Sequence, residues 1–311
     1  LFRSPAAGTQ QAKTLARLRQ GAQDRNLALI ARVNAALPSI AVDYARDVQP
    51  LTPKGVATER HIMRAYRLQA EKAFPEQPAR AAFWAPLLKC AVAEYPALEA
   101  NVPKIEDLVR NALAKRGGIG YIQPDDKTFP PAADFARWVA SCDAIPTIAW
   151  LDGTSGGEAK CDALLDLMTD KGCAALNIIP DRNWNLKKPE EAVLKQAKLD
   201  EVVKACVKRD MPINIGTEMN KGGLPFVDDI TGPALKSYAA AFTQGMRIMV
   251  GQTLLGVYAR APYLGERARA EFKDIKKRNA FYASVGALPA LTTACADTLI
   301  EAGSDRAFSM L

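Results

Sequence analysis

The chain has 311 residues, 49% of them hydrophobic and 24% charged, with a net charge of +7 and a pI near 9.1. That length can bury one barrel-sized core or two ordinary ones, and the composition is that of an ordinary soluble globular protein. No run of roughly eighteen apolar residues occurs, so no membrane span is predicted.

The positive charge is dispersed. Basic pairs such as Lys187-Lys188 and Lys276-Lys277 lie in helical contexts and read as solvated faces, so no nucleic-acid partner is expected. Leu1-Phe-Arg-Ser-Pro5 lacks the apolar core of a signal peptide. The six cysteines show no CxxC spacing and read as buried thiols of a reducing compartment, with a cytoplasmic location expected.

In chain order, residues 9–36 carry apolar side chains at helical spacing (Leu15, Leu18, Leu27, Leu29, Ile30, Val33), which predicts helix in two pieces around Gly21. Ser39–Tyr44 reads as a short strand, followed by a loop with Pro50 and Pro53. Thr58-Glu-Arg-His61 opens a helix to about Phe74, with Thr58 as N-cap and His61 where a capping box places Glu. Pro75–Lys115 reads as further helix interrupted at Pro86, Pro96 and Pro103, and Gly117–Pro124 as a glycine cap and then a strand. Phe135–Ser141 is a short predicted helix.

Three short apolar runs follow: Ile145–Trp150, Ala174–Ile179 and Met211–Gly216. Each breaks into a polar cluster, respectively Asp152–Gly157, Asp181–Asn185 and Thr217–Gly223, and helix-like segments Glu158–Lys171 and Pro189–Arg209 lie between the runs. Such alternation implies βαβ units and a parallel sheet. A helix at Gly232–Gln244, a strand at Met246–Thr253 and a helical tail at Glu266–Gly303 complete the pattern. The expected parallel strands are Tyr121–Gln123, Thr147–Trp150, Leu176–Ile179, Ile213–Ile215 and Ile248–Val250. The expected fold is α/β: a distorted or incomplete TIM-like (β/α) barrel over 117–311, with a mostly helical region at 1–116. An open doubly wound sheet is the alternative.

In parallel sheets the site lies beyond the carboxyl ends of the strands, where all three polar clusters fall. The turn after Asp152 offers backbone N–H groups and Thr154 to an anion, or is simply a turn capped by Asp152 or Ser155. Asp181, Arg182 and Asn183 suit a carboxylate or phosphate and a hydroxyl, or form a salt-bridged turn. Glu218 and Asn220 point the same way in an extended segment, and Glu218 with Lys221 suits acid–base work, or the group braces a loop. The catalytic candidates are therefore Asp181, Arg182, Glu218 and Lys221, and the substrate-binding candidates Thr154, Asn183 and Asn220. His61 is the only histidine, which excludes a His₂ or His₃ zinc site within one chain. Glu59 and His61 can contribute to an oxygen-rich metal site, unless His61 only caps its helix.

The runs Trp150-Leu-Asp-Gly-Thr-Ser155, Ala175-Leu-Asn-Ile-Ile-Pro-Asp-Arg-Asn-Trp-Asn185 and Gly216-Thr-Glu-Met-Asn-Lys221 resemble metal-dependent hydrolases of the polymerase-and-histidinol-phosphatase (PHP) type. Thr58–His61 and Gly251–Thr253 fit the same pattern, and the resemblance spans residues 40–285. It implies a distorted α/β barrel, a His and Asp/Glu cluster for divalent metals, and hydrolysis, often of phosphate esters. The chain departs from the pattern in having no His-x-His, and Gln252 stands where a metal-binding His is expected. The metal expected is then Mg²⁺ or Mn²⁺, with Asp152 and Glu218 as leading ligands and Glu59 and His61 as supplements. The expected function is hydrolysis of a small anionic substrate such as a phosphate ester. With a degraded metal centre, a non-catalytic ligand- or partner-binding relative is expected instead.

Overall fold

The computed structural model describes residues 5–52, 57–125, 128–219 and 226–310. The chain divides into two compact units, Ala7–Pro130 and Pro131–Leu311 with the first six residues.

The unit at 7–130 is helical. Its elements are α1 (Gln10–Ala36), α2 (Glu59–Ala73), α3 (Gln77–Leu88), α4 (Tyr95–Glu99) and α5 (Val102–Leu113). Helix α1 runs through Gly21 unbroken, since one interior glycine costs only about 1 kcal/mol in a long helix. Thr9 caps it, accepting from the N–H of Ala12 at 3.2 Å. Residues Leu29, Ile30 and Val33 of α1 pack with Ile62, Met63 and Tyr66 of α2 and Ile105, Val109 and Leu113 of α5. The strand expected at Ser39–Tyr44 is instead a 3₁₀ turn (Pro38–Ile40) and a π turn (Tyr44–Val48). The strand expected at Tyr121–Gln123 is also absent. Residues 118–120 close the end of α5, with the N–H groups of Ile119 and Gly120 donating to the carbonyls of Ala112 and Leu113.

The unit at 131–311 holds α6 (Ala132–Ser141), β1 (Thr147–Trp150), α7 (Cys161–Asp170), β2 (Ala175–Ile178), α8 (Asp181–Trp184), α9 (Pro189–Lys208) and β3 (Ile213–Ile215). After these come α10 (Ala239–Leu254), α11 (Glu266–Glu271), α12 (Ile275–Gly286) and α13 (Thr293–Met310), which is broken at Gly303. The strands form one parallel sheet in the order β1-β2-β3.

No TIM-like barrel is present. Helices make up 64% of the structure, and the three short strands are the only ones among the described residues. The strand expected at Ile248–Val250 lies inside α10. The reason the sheet stops at β3 is visible in its hydrogen bonds. Leu176 N–H donates to Pro212 O and Gly216 N–H to Ile178 O, so alternate residues of β3 face β2 and Ile213 turns its peptide groups to the free edge. Helix α10 covers that edge, with Gly245 lying directly on the Ile213 backbone. Helix α10 thus takes the place of a further strand.

One face of the sheet is a core. Ile148, Trp150, Leu176, Ile178 and Ile213 pack with Leu165 of α7 and Leu199, Val202 and Cys206 of α9. The opposite face carries the register row Ala149, Asn177 and Asn214, with Ala149 exposed and both asparagines half-buried. A second core joins Ile248 of α10 to Tyr263, Tyr282 and Val285. Among the described residues no helix is long and apolar enough to cross a membrane.

Candidate functional site

The sequence places polar residues two or three positions after each strand, at Asp152, Asp181 and Thr217-Glu218, and the fold gathers these at the C-terminal edge of the sheet. After β1, the carboxylate of Glu158 folds back and accepts the N–H groups of Leu151 (2.8 Å), Asp152 (3.2 Å) and Gly153 (3.0 Å). These are the backbone donors that suit an anion, and the chain's own buried Glu158 occupies them. Asp152 turns its Oδ1 to the hydroxyl (2.6 Å) and N–H (3.0 Å) of Thr154, and its Oδ2 to Lys195 Nζ at 3.0 Å. Burial pushes the Asp152 carboxyl up, but the bonds from Thr154 and the Lys195 ammonium outweigh this and hold it below the usual carboxylate range. Lys195 also pairs with Glu191 at 2.9 Å.

After β2, the single turn α8 presents Asp181, Arg182 and Asn183. Asn183 is fully buried and donates to the carbonyls of Lys195 (2.8 Å) and Asp152 (3.3 Å), bracing the β1 loop against α9. Asp181 Oδ1 accepts from Asn185 at 2.8 Å. The carboxyl of Asp228 is buried and accepts from Trp184 Nε1 at 3.2 Å, while its Oδ2 has no hydrogen-bond partner. Burial and, to a lesser degree, the negative Asp181 raise Asp228 above the ordinary carboxylate range. After β3, Glu218 Oε2 accepts from Arg182 Nε at 2.9 Å and from its Nη2, and both side chains are about one-third exposed, at 34% for Arg182 and 32% for Glu218.

The structure therefore brings Asp152, Thr154, Asp181, Arg182, Asn183 and Glu218 to one sheet edge. Asn220 and Lys221 lie outside the described residues. Glu59 and His61 belong to the other unit and are engaged within it. Glu59 pairs with Arg110 (2.8 Å) and Lys115 (3.0 Å). His61 Nδ1 accepts the N–H of Thr58 at 3.0 Å, completing the capping box of α2. Among the described residues no group of three or more His, Cys, Asp or Glu side chains is placed to hold a metal ion. Each carboxylate expected as a ligand has a cation instead: Lys195 on Asp152, Arg182 on Glu218, Arg110 and Lys115 on Glu59. As paired here, these described carboxylates do not form a donor set for a resident divalent metal. Of the cysteines expected to be buried, Cys295 is exposed and Cys90 and Cys142 are half-buried.

Sequence reasoning missed Glu158, Lys195, Asp228 and the strand asparagines. Asn177 and Asn214 were visible: each interrupts an otherwise apolar run that a parallel sheet buries. Lys195 and Asp228 lie far from the strand ends in sequence and carry no local signal.

The two perturbed carboxyls make opposite contributions to stability with pH. Asp228, raised on folding, stabilises fully below its unfolded pKa, and this is lost as pH rises through the folded value. Asp152, lowered on folding, stabilises above its unfolded pKa, and this is lost as pH falls through the folded value. Asp228→Asn is therefore expected to melt above the wild type at about pH 7, a difference that shrinks as pH falls toward about 4, and Asp152→Asn below it, a difference that shrinks only as pH falls below about 4. Melting curves across this range check both signs.

Comparisons with known protein families, with curated proteins and with solved structures find no match.

Proposed function

We propose that the unit at 131–311 binds a small anionic molecule at the C-terminal edge of its sheet, with Arg182 as the anion contact. One observation carries this reading. Arg182 directs Nε and Nη2 to a single oxygen of Glu218, on a partly exposed edge between β2 and β3. Such a pair contributes only about 0–1 kcal/mol, so an incoming carboxylate or phosphate can take the place of Glu218 at little cost. A guanidinium then offers the planar fork that such anions accept. Lys195 lies at the neighbouring strand end, held by Asp152 and Glu191, so Arg182 is the cation this reading relies on.

Hydrolysis at the same edge, as the PHP resemblance suggests, is a second reading. Its supporting observation is the closeness of Asp181 and Asp228, one of them held toward its neutral form. Because Asp152 and Glu218 serve as counter-ions, no step through a metal follows.

Calorimetric titration with inorganic phosphate tests the binding reading. Arg182→Ala is expected to weaken phosphate at least tenfold, and Arg182→Lys to recover part of the loss. Phosphate binding that is unchanged in Arg182→Ala would overturn the reading. Turnover of a phosphate ester that is lost in Asp181→Asn would favour hydrolysis instead.

A further inference from the structure

Asparagine is an unusual residue in the middle of a buried parallel strand, and here two stand side by side. Asn177 of β2 and Asn214 of β3 are register partners, and Asn214 Nδ2 donates to Asn177 Oδ1 at 2.7 Å. That single bond leaves Asn177 Nδ2 and Asn214 Oδ1 without hydrogen-bond partners among the described residues. Exchanging oxygen and nitrogen in both amides leaves the same result, one free donor and one free acceptor on adjacent strands.

The row continues toward the candidate site. Gly216 sits over Asn177, with the place of a Cβ 3.5 Å from its Oδ1, and leaves the amide uncovered. Glu218 has the same parity along the chain as Asn214 and Gly216, and it holds Arg182. The chain that carries Asn214 and Gly216 thus runs on to Glu218, the partner of the Arg182 guanidinium, four residues after Asn214. Across the row, Ala149 is exposed and adds no competing group.

We infer that this row is the second half of the anion site and selects a polyhydroxylated anion, a sugar phosphate or sugar acid. The inference rests on the Arg182 reading and names its ligand class. A hydroxyl both donates and accepts, which matches a side-by-side donor and acceptor. A nucleobase edge also matches, but Thr147, Ala149, Asn177, Asn214 and Gly216 provide no aromatic surface to stack on. The face is half-open and polar, which suits a ligand that keeps part of its hydration.

The test uses the full chain and four probes: inorganic phosphate, glucose, gluconate, and a set of sugar phosphates that includes ribose 5-phosphate and glucose 6-phosphate. Titration calorimetry should show at least one sugar phosphate or gluconate binding tenfold or more tighter than phosphate. Asn177→Ala and Asn214→Ala should remove that gain and leave phosphate unchanged. Asn177→Ser and Asn214→Ser, which keep a hydroxyl, should retain part of it and guard against a folding defect. The inference is overturned if no polyhydroxylated anion exceeds phosphate, or if the gain survives both alanine variants. Failure of phosphate and every other anion overturns this inference together with the Arg182 reading. Glucose binding that needs both asparagines, with no anion bound, likewise overturns both, because the row would then bind a neutral sugar; phosphate binding that needs Arg182, with no gain for any polyhydroxylated anion, overturns this inference alone.

Discussion

Alanine at Gly251 or Gly286 is expected to unfold the unit at 131–311 at temperatures the wild type tolerates. Helices α10 and α12 meet at these two glycines. A Cβ on Gly251 would fall inside the carbonyl of Tyr282, and a Cβ on Gly286 inside the carbonyl of Arg247 and within 2.9 Å of Gly251 N. In both cases the obstacle is backbone, not the end of a flexible side chain. Relief requires the two helices to separate, which also opens the packing of Ile248, Tyr282 and Val285. Overpacking of a fixed core costs about 1–3 kcal/mol and more where the backbone must move. About 3 kcal/mol in a unit of this size lowers Tm by roughly 10 °C. Differential scanning calorimetry of Gly286→Ala against Ala283→Gly, a change on the same helix that adds no bulk, reads the effect. A Tm within about 2 °C of the wild type would show that the helices can part without loss.

That contact also shows how far the sequence could be read. Met246-Arg-Ile-Met-Val-Gly-Gln-Thr253 has the short length and β-branched residues of a strand, yet it lies in α10. A helix wedged between β3 and α12 is apolar on more than one side, which erases the 3.6-residue pattern that would identify it. Gly245 and Gly251 were the available clue. Glycines inside an apolar run mark close backbone approach, and these two touch Ile213 and Tyr282. The consequence is large, because a helix on the β3 edge closes the sheet where a barrel would continue. By contrast, the runs at Thr147–Trp150 and Ile213–Ile215 are strands as read, and β2 begins one residue earlier than read, at Ala175. Continuous apolar runs between helical segments leave few alternatives there.

The candidate site was legible to the same degree. Strand ends share an edge, so the positions of Asp152, Arg182 and Glu218 follow from the parallel sheet alone. What each carboxylate binds does not follow. A carboxylate followed by glycine and threonine reads equally as a ligand or as an Asx turn, and the choice depends on Lys195, which α9 brings in from 43 residues away in sequence (195 − 152). Likewise, nothing local shows that Glu158 turns back onto the three residues after β1.

The Glu158 contact carries the second large effect. Glu158→Ala leaves the N–H groups of Leu151, Asp152 and Gly153 without their acceptor, and the Gly153 group is fully enclosed. Charge-assisted bonds to backbone donors are among the strongest in a protein, and each buried donor left unmade costs about 1–3 kcal/mol. A total near 3 kcal/mol is expected, since the exposed Leu151 can turn to water. Glu158→Gln should lose less, because its carbonyl oxygen still accepts. The loop would then hold three converging N–H groups with no anion, an arrangement that binds small anions. Acetate or phosphate should therefore raise the Tm of Glu158→Ala and do so far less for Glu158→Gln. If Glu158→Ala melts with the wild type, or if acetate and phosphate shift all three proteins alike, the carboxylate is not what holds this loop.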